Sequence, residues 1–329
     1  MVRKLHVGST KLLEIRNLKV YFTRGGILSK KSITKAVDGV NLEIGKGEIL
    51  GLVGESGSGK TTLGKASIGL IKPTQGNVIL YMENEEIDIT RVKGKKWREL
   101  RSYLQMVYQD PYSSIDPYMR VYDTLRIPLQ YHGIKSKEEV NEKIRSAMEI
   151  VGLPEELLDN YVFQLSGGQR QRLSIARAII LDPKYIVADE PVTMLDVSLK
   201  GEILKVIDNI RNMKSTSFLL ITHEIPVAKV ISDRIAIMYA GKVLEIGDTE
   251  ELINNPLHPY TQALIEAYPK IRPERRNELI RIRIKDELII PENGCRFYPR
   301  CPFALDKCKL EEPKLVEVKK GHYVACWLY

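Results

Sequence analysis

Gly54-Glu55-Ser56-Gly57-Ser58-Gly59-Lys60-Thr61 fits the pattern G-x-x-x-x-G-K-S/T, whose chemistry is phosphate binding. A triphosphate needs many N–H donors at close range. Glycines at 54, 57 and 59 let the backbone wrap it without side-chain clashes. A helix opening at Lys60 turns its positive end toward the same anion. Lys60 can reach the β and γ phosphates, and the Thr61 hydroxyl can ligate Mg²⁺. Glu55, Ser56, Ser58 and Thr62 complete the expected cradle. Far downstream, the apolar run Tyr185-Ile186-Val187-Ala188 ends in Asp189 and Glu190. Asp189 is placed to hold Mg²⁺, and Glu190 suits polarising the attacking water in phosphoryl transfer. Between them lies Leu165-Ser166-Gly167-Gly168-Gln169, with a hydroxyl and two glycines at a helix start, a second set of donors for phosphate.

These groups need elements to hold them. Residues 11–48 alternate apolar and polar positions and read as short antiparallel strands, with an exposed loop over Gly25–Lys31. Ile49–Val53 is a continuous apolar strand leading into the glycine loop and the helix from Lys60. Residues 120–164 are helical by pattern, with Val140, Ile144, Met148 and Val151 on one face and Gly152-Leu153-Pro154 as a stop. Ser166 N-caps a helix running through Gln169–Ile180. Tyr185–Ala188 and Phe218–Ile221 have the composition of buried parallel strands, joined by a helix over Leu199–Met213. Ile235–Ile246 reads as a hairpin turning at Ala240-Gly241.

At 329 residues the chain has ample length for a buried core, and no apolar run approaches the ~18 residues of a membrane span. Met1–His6 is not followed by an apolar segment, so no signal peptide is expected and the chain should stay in the cytosol. The net charge of +8 is spread along the sequence, with modest concentrations at Lys93–Arg101 and Arg272–Lys285, so no nucleic-acid partner is expected. The four cysteines, Cys295, Cys301, Cys308 and Cys326, are all near the end, in a C-x5-C-x6-C-x17-C spacing. That spacing lacks the C-x2-C pairs of common zinc ribbons, and thiolates alone suit an iron–sulfur cluster. Zinc and disulfides remain alternatives, and His322 reads as a bystander.

The phosphate loop, Leu165–Gln169 and the acidic strand, in that order, resemble the ATPase subunits of ABC transporters over roughly Leu12 to Gly247. The resemblance implies an α/β P-loop NTPase of the ABC type. Its parts are a RecA-like parallel-sheet core, an antiparallel β subdomain and a helical subdomain over about 110–165. It also implies roles for single residues. Gln109 is the Q-loop residue that senses Mg²⁺, Asp196 is the D-loop aspartate, and His223 is the switch histidine contacting the γ-phosphate. Phe22, with Tyr21 as the alternative, is the aromatic on which adenine stacks. Leu165–Gln169 binds the ATP held by a second subunit, so two subunits sandwich two nucleotides. The chain departs from the family at Pro191-Val192-Thr193-Met194-Leu195-Asp196, where Thr-Ser-Ala commonly precedes Leu-Asp.

Three further segments narrow the resemblance to the ATPases of oligopeptide and dipeptide importers. They are Asp110–Pro117, Asn255-Pro256-Leu257-His258-Pro259-Tyr260-Thr261, and the cysteine tail. The implied division is an ATPase domain over 1–253 and a small C-terminal domain over 254–329. The implied cofactors are ATP, Mg²⁺ and a 4Fe–4S cluster on the four cysteines. The implied partners are a second ATPase subunit forming a heterodimer, two transmembrane permeases and an extracellular solute-binding protein, with the chain peripheral at the cytoplasmic face of the membrane. Some relatives move oligosaccharides, which leaves that solute class as an alternative. A soluble ABC-type ATPase acting on nucleic acid or ribosomes is disfavoured, because only one ATPase unit is present and no long coiled coil separates the phosphate loop from Leu165–Gln169.

Overall fold

A continuous apolar run bounded by a glycine loop can be shielded from water on both faces only inside a sheet covered by helices. Ile49–Val53 meets that condition, with all five residues buried. The computed structural model describes residues 11–24, 32–83, 85–268 and 290–329. The loop expected over Gly25–Lys31 and the basic stretch Arg272–Lys285 lie outside them.

The chain opens with strands β1 (Lys11–Arg24), β2 (Ser32–Gly45) and β3 (Ile49–Val53), then helix α1 (Lys60–Ser67). Strands β4 (Gln75–Tyr81) and β5 (Glu86–Asp88), helix α2 (Gly94–Tyr103) and strand β6 (Leu104–Val107) follow. Four helices come next: α3 (Pro111–Ser114), α4 (Val121–Tyr131), α5 (Lys137–Val151) and α6 (Gly167–Ile179). After them come β7 (Tyr185–Asp189), α7 (Val197–Lys214), β8 (Ser217–Thr222), α8 (Ile225–Ile231), β9 (Arg234–Tyr239) and β10 (Lys242–Asp248). The last elements are α9 (Thr249–Asn254), α10 (Pro259–Glu266), α11 (Asp306–Leu310), β11 (Val316–Lys319) and β12 (His322–Val324). No described helix is long and apolar enough to cross a membrane.

The chain folds as two compact units, one of Met1–Glu14, Glu43–Ile49 and Ile79–Leu220, the other of Ile15–Leu42, Leu50–Val78 and Ile221–Tyr329. In the first, β6 and β7 run parallel with Leu104 opposite Tyr185 and Val107 opposite Ala188. β7 is buried throughout. The helical region behaves as its periodicity predicts. Val140, Ile144, Met148 and Val151 are the buried face of α5, and Gly152 ends the helix in the left-handed region at φ 67°.

In the second unit β3 pairs in parallel with β9, Leu50 opposite Arg234. β9 turns into antiparallel β10 at Ala240 and Gly241, both at positive φ, as the hairpin pattern predicts. β12 then adds antiparallel to β10, and β11 to β12, so the end of the chain extends this sheet. One core joins Val53, Ile237, Tyr239, Leu252, Tyr260 and Phe297 with Cys295 and Cys308. The Tyr239 ring lies 4.8 Å from Tyr260 and 5.4 Å from Phe297, centre to centre. The described residues beyond Asn254, among them Tyr260 and Phe297, therefore pack into the same core as β3 and β9.

The first forty residues differ from the expected series of short strands. β1 and β2 are each 14 residues long. Asn17 (φ 44°) and Gly39 (φ 77°) bend them without ending them. The Asn41 side chain accepts the Asn17 N–H at 2.8 Å, which satisfies the backbone at the bend. Sequence alternation is interrupted at such a bend, so one long strand reads as two.

Candidate functional site

The phosphate loop begins where β3 ends. Its glycines are required for different reasons. A Cβ on Gly54 would lie 2.0 Å from the Met238 carbonyl oxygen, and one on Gly59 would lie 2.0 Å from that of Ala36. Gly57 has open space around it but adopts φ +78°, which L side chains avoid. Lys60 is buried, and its Nζ donates to the carbonyls of Gly54 (2.7 Å) and Glu55 (2.8 Å), fixing the ammonium across the loop. The Ser58 hydroxyl is buried and has no partner, a polar group facing the need for one. Ser56 and Gly57 are exposed, while Thr61 and Thr62, in the first turn of α1, are half-buried. A cradle of backbone, one fixed ammonium and an orphan hydroxyl fits a polyphosphate.

On β1 of the same unit, Phe22 presents an exposed ring. Tyr21 is committed elsewhere: its hydroxyl donates to Asp38, and burial together with that carboxylate pushes its pKa up to about 12. The geometry leaves Phe22 as the open aromatic of the two. His223 follows β8, half-buried, and Thr222 Oγ1 accepts the Glu224 N–H at 3.0 Å.

The other unit holds the acidic groups. Asp189 closes β7 at 3% exposure. Glu190 follows in the left-handed region, φ 46°, an uncommon conformation for a non-glycine residue. Gln109 Nε2 donates to Glu190 Oε2 at 3.1 Å. The hydroxyl of Thr61, the amide oxygen of Gln109 and the carboxylate of Asp189 are the oxygen donors Mg²⁺ prefers. Ser166 caps α6: its Oγ accepts the Gln169 N–H at 3.2 Å, and Gln169 Oε1 accepts the Ser166 N–H at 2.9 Å. Gln169 thus has a capping task that its place in the motif did not reveal. Leu165 is buried, Gly167 half-buried, and Gly168 so close to Leu199 that its Cβ would sit 3.4 Å from both methyl carbons. Asp196 is exposed at the N-cap of α7, flanked by exposed Met194 and Val197. In the atypical segment before it, the buried Thr193 hydroxyl has no partner.

The four cysteines are free thiols, Cys295 and Cys308 buried and Cys301 and Cys326 half-buried. Burial pushes Cys295 up to about 12 and Cys301 up to about 11, and repulsion between charged thiols adds to it, while the Cys295 N–H donates to the Cys308 carbonyl at 2.8 Å. No described group of three or more His, Cys, Asp or Glu side chains is arranged to hold a metal ion. The metal-ligated tail expected from the spacing therefore has no preformed geometry, although its donors, sulfur alone, suit an iron–sulfur cluster. His322 is accounted for otherwise: its Nε2 lies 2.8 Å from Oε1 of the fully buried Glu245, whose carboxylate also accepts the N–H groups of Leu257 and His258.

Sequence reasoning missed two residues that touch the phosphate loop. Tyr260 Oη accepts the Glu55 N–H at 3.0 Å, and Arg300 pairs with the Glu55 carboxylate. The only signal was Tyr260's place in the Asn255–Thr261 segment; nothing marked Arg300.

Residues 37–193 match the ABC transporter family model, and residues 244–308 match that of the oligopeptide/dipeptide transporter C-terminal region. The oligopeptide transport ATP-binding protein AppF of Bacillus subtilis is 41% identical, covering 97% of both chains. OppF of Salmonella typhimurium, with the same description, is 41% identical over 96% of this chain and 95% of its own. This chain belongs to the ATP-binding proteins of the oligopeptide/dipeptide ABC transporter family. Like other ABC ATPases it is an ATP-hydrolysing enzyme. Solved ABC cassettes share the fold: the dimeric MJ0796 cassette bound to ADP and Pi aligns with a TM-score of 0.63 at 27% identity, over 72% of this chain and 99% of that one. cbiO1 of Clostridium perfringens, part of an ABC transporter complex, gives 0.65 at 26% identity, over 80% of this chain and 95% of its own. As the nucleotide-binding subunit of a transporter, the chain works with membrane-spanning partners.

Proposed function

We propose that the chain powers peptide uptake as one ATPase of a heterodimer, bound at the cytoplasmic face of the membrane to two permeases that receive solute from an extracellular binding protein. The observation that carries this reading is the match to peptide-transport ATPases along both the cassette and the tail.

In this mechanism the loop Gly54–Thr62 binds the phosphates of ATP, Lys60 meets the β and γ groups, and the Phe22 ring stacks on adenine. Thr61, Gln109 and Asp189 would hold Mg²⁺, which neutralises charge during phosphoryl transfer. Glu190 orients water and takes its proton as the water oxygen bonds to the γ-phosphorus and the bond to ADP breaks. His223 hydrogen-bonds the γ-phosphate. Leu165–Gln169 and Asp196 serve a dimeric sandwich, and support comes from the exposed apolar side chains of Met194 and Val197 beside Asp196. Closure on two ATP molecules and reopening after hydrolysis then drive the permeases.

For the tail we propose a 4Fe–4S cluster that staples the fold. The chemistry of the donors, four free thiols, supports it, and iron, sulfide and zinc analysis of anaerobically purified protein tests it. About four irons and four sulfides per chain are expected; one zinc or no metal overturns the cluster.

The transport reading is tested by copurifying the chain with its permeases and reconstituting them in vesicles. ATP-dependent uptake of labelled peptides is expected. Uptake of oligosaccharides alone would replace the solute class, and ATPase activity stimulated by DNA or ribosomes would replace the function.

A further inference from the structure

Glu55 uses every polar group it has, and they point in two directions. Its carbonyl accepts the Lys60 ammonium at 2.8 Å and the Ser58 N–H at 3.2 Å, both inside the phosphate loop. Its N–H donates to Tyr260 Oη at 3.0 Å, and its carboxylate accepts two hydrogen bonds from Arg300, Nη1 to Oε2 at 2.8 Å and Nη2 to Oε1 at 3.1 Å. Tyr260 and Arg300 come from beyond the cassette-type core, 205 and 245 residues along the chain.

Both partners are themselves immobilised. Tyr260 is fully buried between Tyr239 and Phe297, and its N–H is held by His258 Nδ1 at 3.0 Å. Arg300 sits on the helical turn Tyr298–Arg300, its guanidinium 5.6 Å from the Tyr239 ring centre and its side chain 13% exposed. A fork-to-carboxylate pair of this kind fixes direction as well as distance; the Arg300 side is shielded, while the Glu55 side chain, 38% exposed, leaves the pair partly open to screening.

We propose that Arg300 and Tyr260 are positioning residues of the ATP site: by clamping Glu55 from outside the loop, they hold the carbonyl that sets the Lys60 ammonium. The proposal rests on the reading of Gly54–Thr62 as the ATP-phosphate loop. A preorganised loop binds ATP without first ordering itself, so the clamp acts on affinity, equally in ground and transition states.

The test uses the full chain, with Arg300→Ala, Arg300→Lys, Glu55→Ala, the double variant Arg300→Ala/Glu55→Ala and Tyr260→Phe. Kd for MgATP is measured by calorimetry, and kcat and KM by phosphate release, with thermal unfolding to confirm that each variant is folded. Arg300→Ala and Glu55→Ala should each raise Kd and KM about tenfold with kcat nearly unchanged. The double variant should be no worse than either single one, and Arg300→Lys should recover part of the loss. Tyr260→Phe, which keeps the ring, should raise Kd by a smaller factor. Wild-type affinity in Arg300→Ala, or additive losses in the double variant, overturns the clamp. Lys60→Ala is the control: if it binds MgATP as the parent does, the assignment of the loop fails, and the clamp with it.

Discussion

Gln109 and Glu190 each lie two residues beyond the last pair in the parallel register of β6 and β7, Val107 beside Ala188. The 3.1 Å hydrogen bond from Gln109 Nε2 to Glu190 Oε2 is the side-chain expression of that register. It ties the residue expected to sense the metal to the residue expected to activate water, and it supplies a donor only while position 109 is an amide.

Replacing Gln109 with Glu should therefore do more than remove a metal ligand. Two carboxylates at this distance would share a proton, so the acidic limb of the pH–kcat profile should move up by about one unit. Gln109→Ala, which adds no charge, should lower kcat without moving that limb. Identical pH profiles for the two variants would show that the pair has no catalytic meaning.

The phosphate loop makes a steric prediction. The Cβ of Gly54→Ala would meet the Met238 carbonyl oxygen at 2.0 Å, and backbone cannot yield as a flexible side chain does. The expected cost is about 1–3 kcal/mol of stability with weakened MgATP binding. Chemical denaturation beside nucleotide titration checks both, and a neutral substitution would mean that the approach is looser than described.

Acid should find a weak point at His258. Burial holds this histidine at about 3 instead of its ordinary 6.5. Between those values the unfolded chain binds a proton that the folded one refuses, so stability is intact above about 6.5 and falls as the pH drops toward 3. From pH 6.5 to 5 the loss assigned to this residue is about 2 kcal/mol. His258→Asn keeps a capping side chain for α10 and removes the titration. Urea unfolding at pH 7.5 and pH 5.0 should show a shallower loss in the variant, and equal losses would contradict this.

The strands that carry the candidate site were legible because their signals are local. An apolar run, a glycine pattern and a helix start lie within a few residues around Gly54–Thr61, and Asp189 and Glu190 terminate their own strand. The tail was read from its cysteine spacing and from the family resemblance, and both are silent about long-range partners. His322 reads as a bystander to the metal because four cysteines are available, and its actual partner, Glu245, 77 residues away in sequence, is visible only once β12 lies against β10. Arg300 was invisible for the same reason. It lies beside Cys301, where attention goes to metal chemistry, while its guanidinium faces Glu55 of the phosphate loop. Residues whose work is done through a distant neighbour carry no pattern of their own.

The proposed mechanism of ATP hydrolysis makes Glu190 the residue that activates water. Phosphate release and MgATP binding measured side by side on the wild-type chain and Glu190→Gln test it most directly. The variant should bind MgATP as the wild type does and release phosphate about 10²–10⁴-fold more slowly. Turnover at the wild-type rate would remove Glu190 from the mechanism and contradict the account.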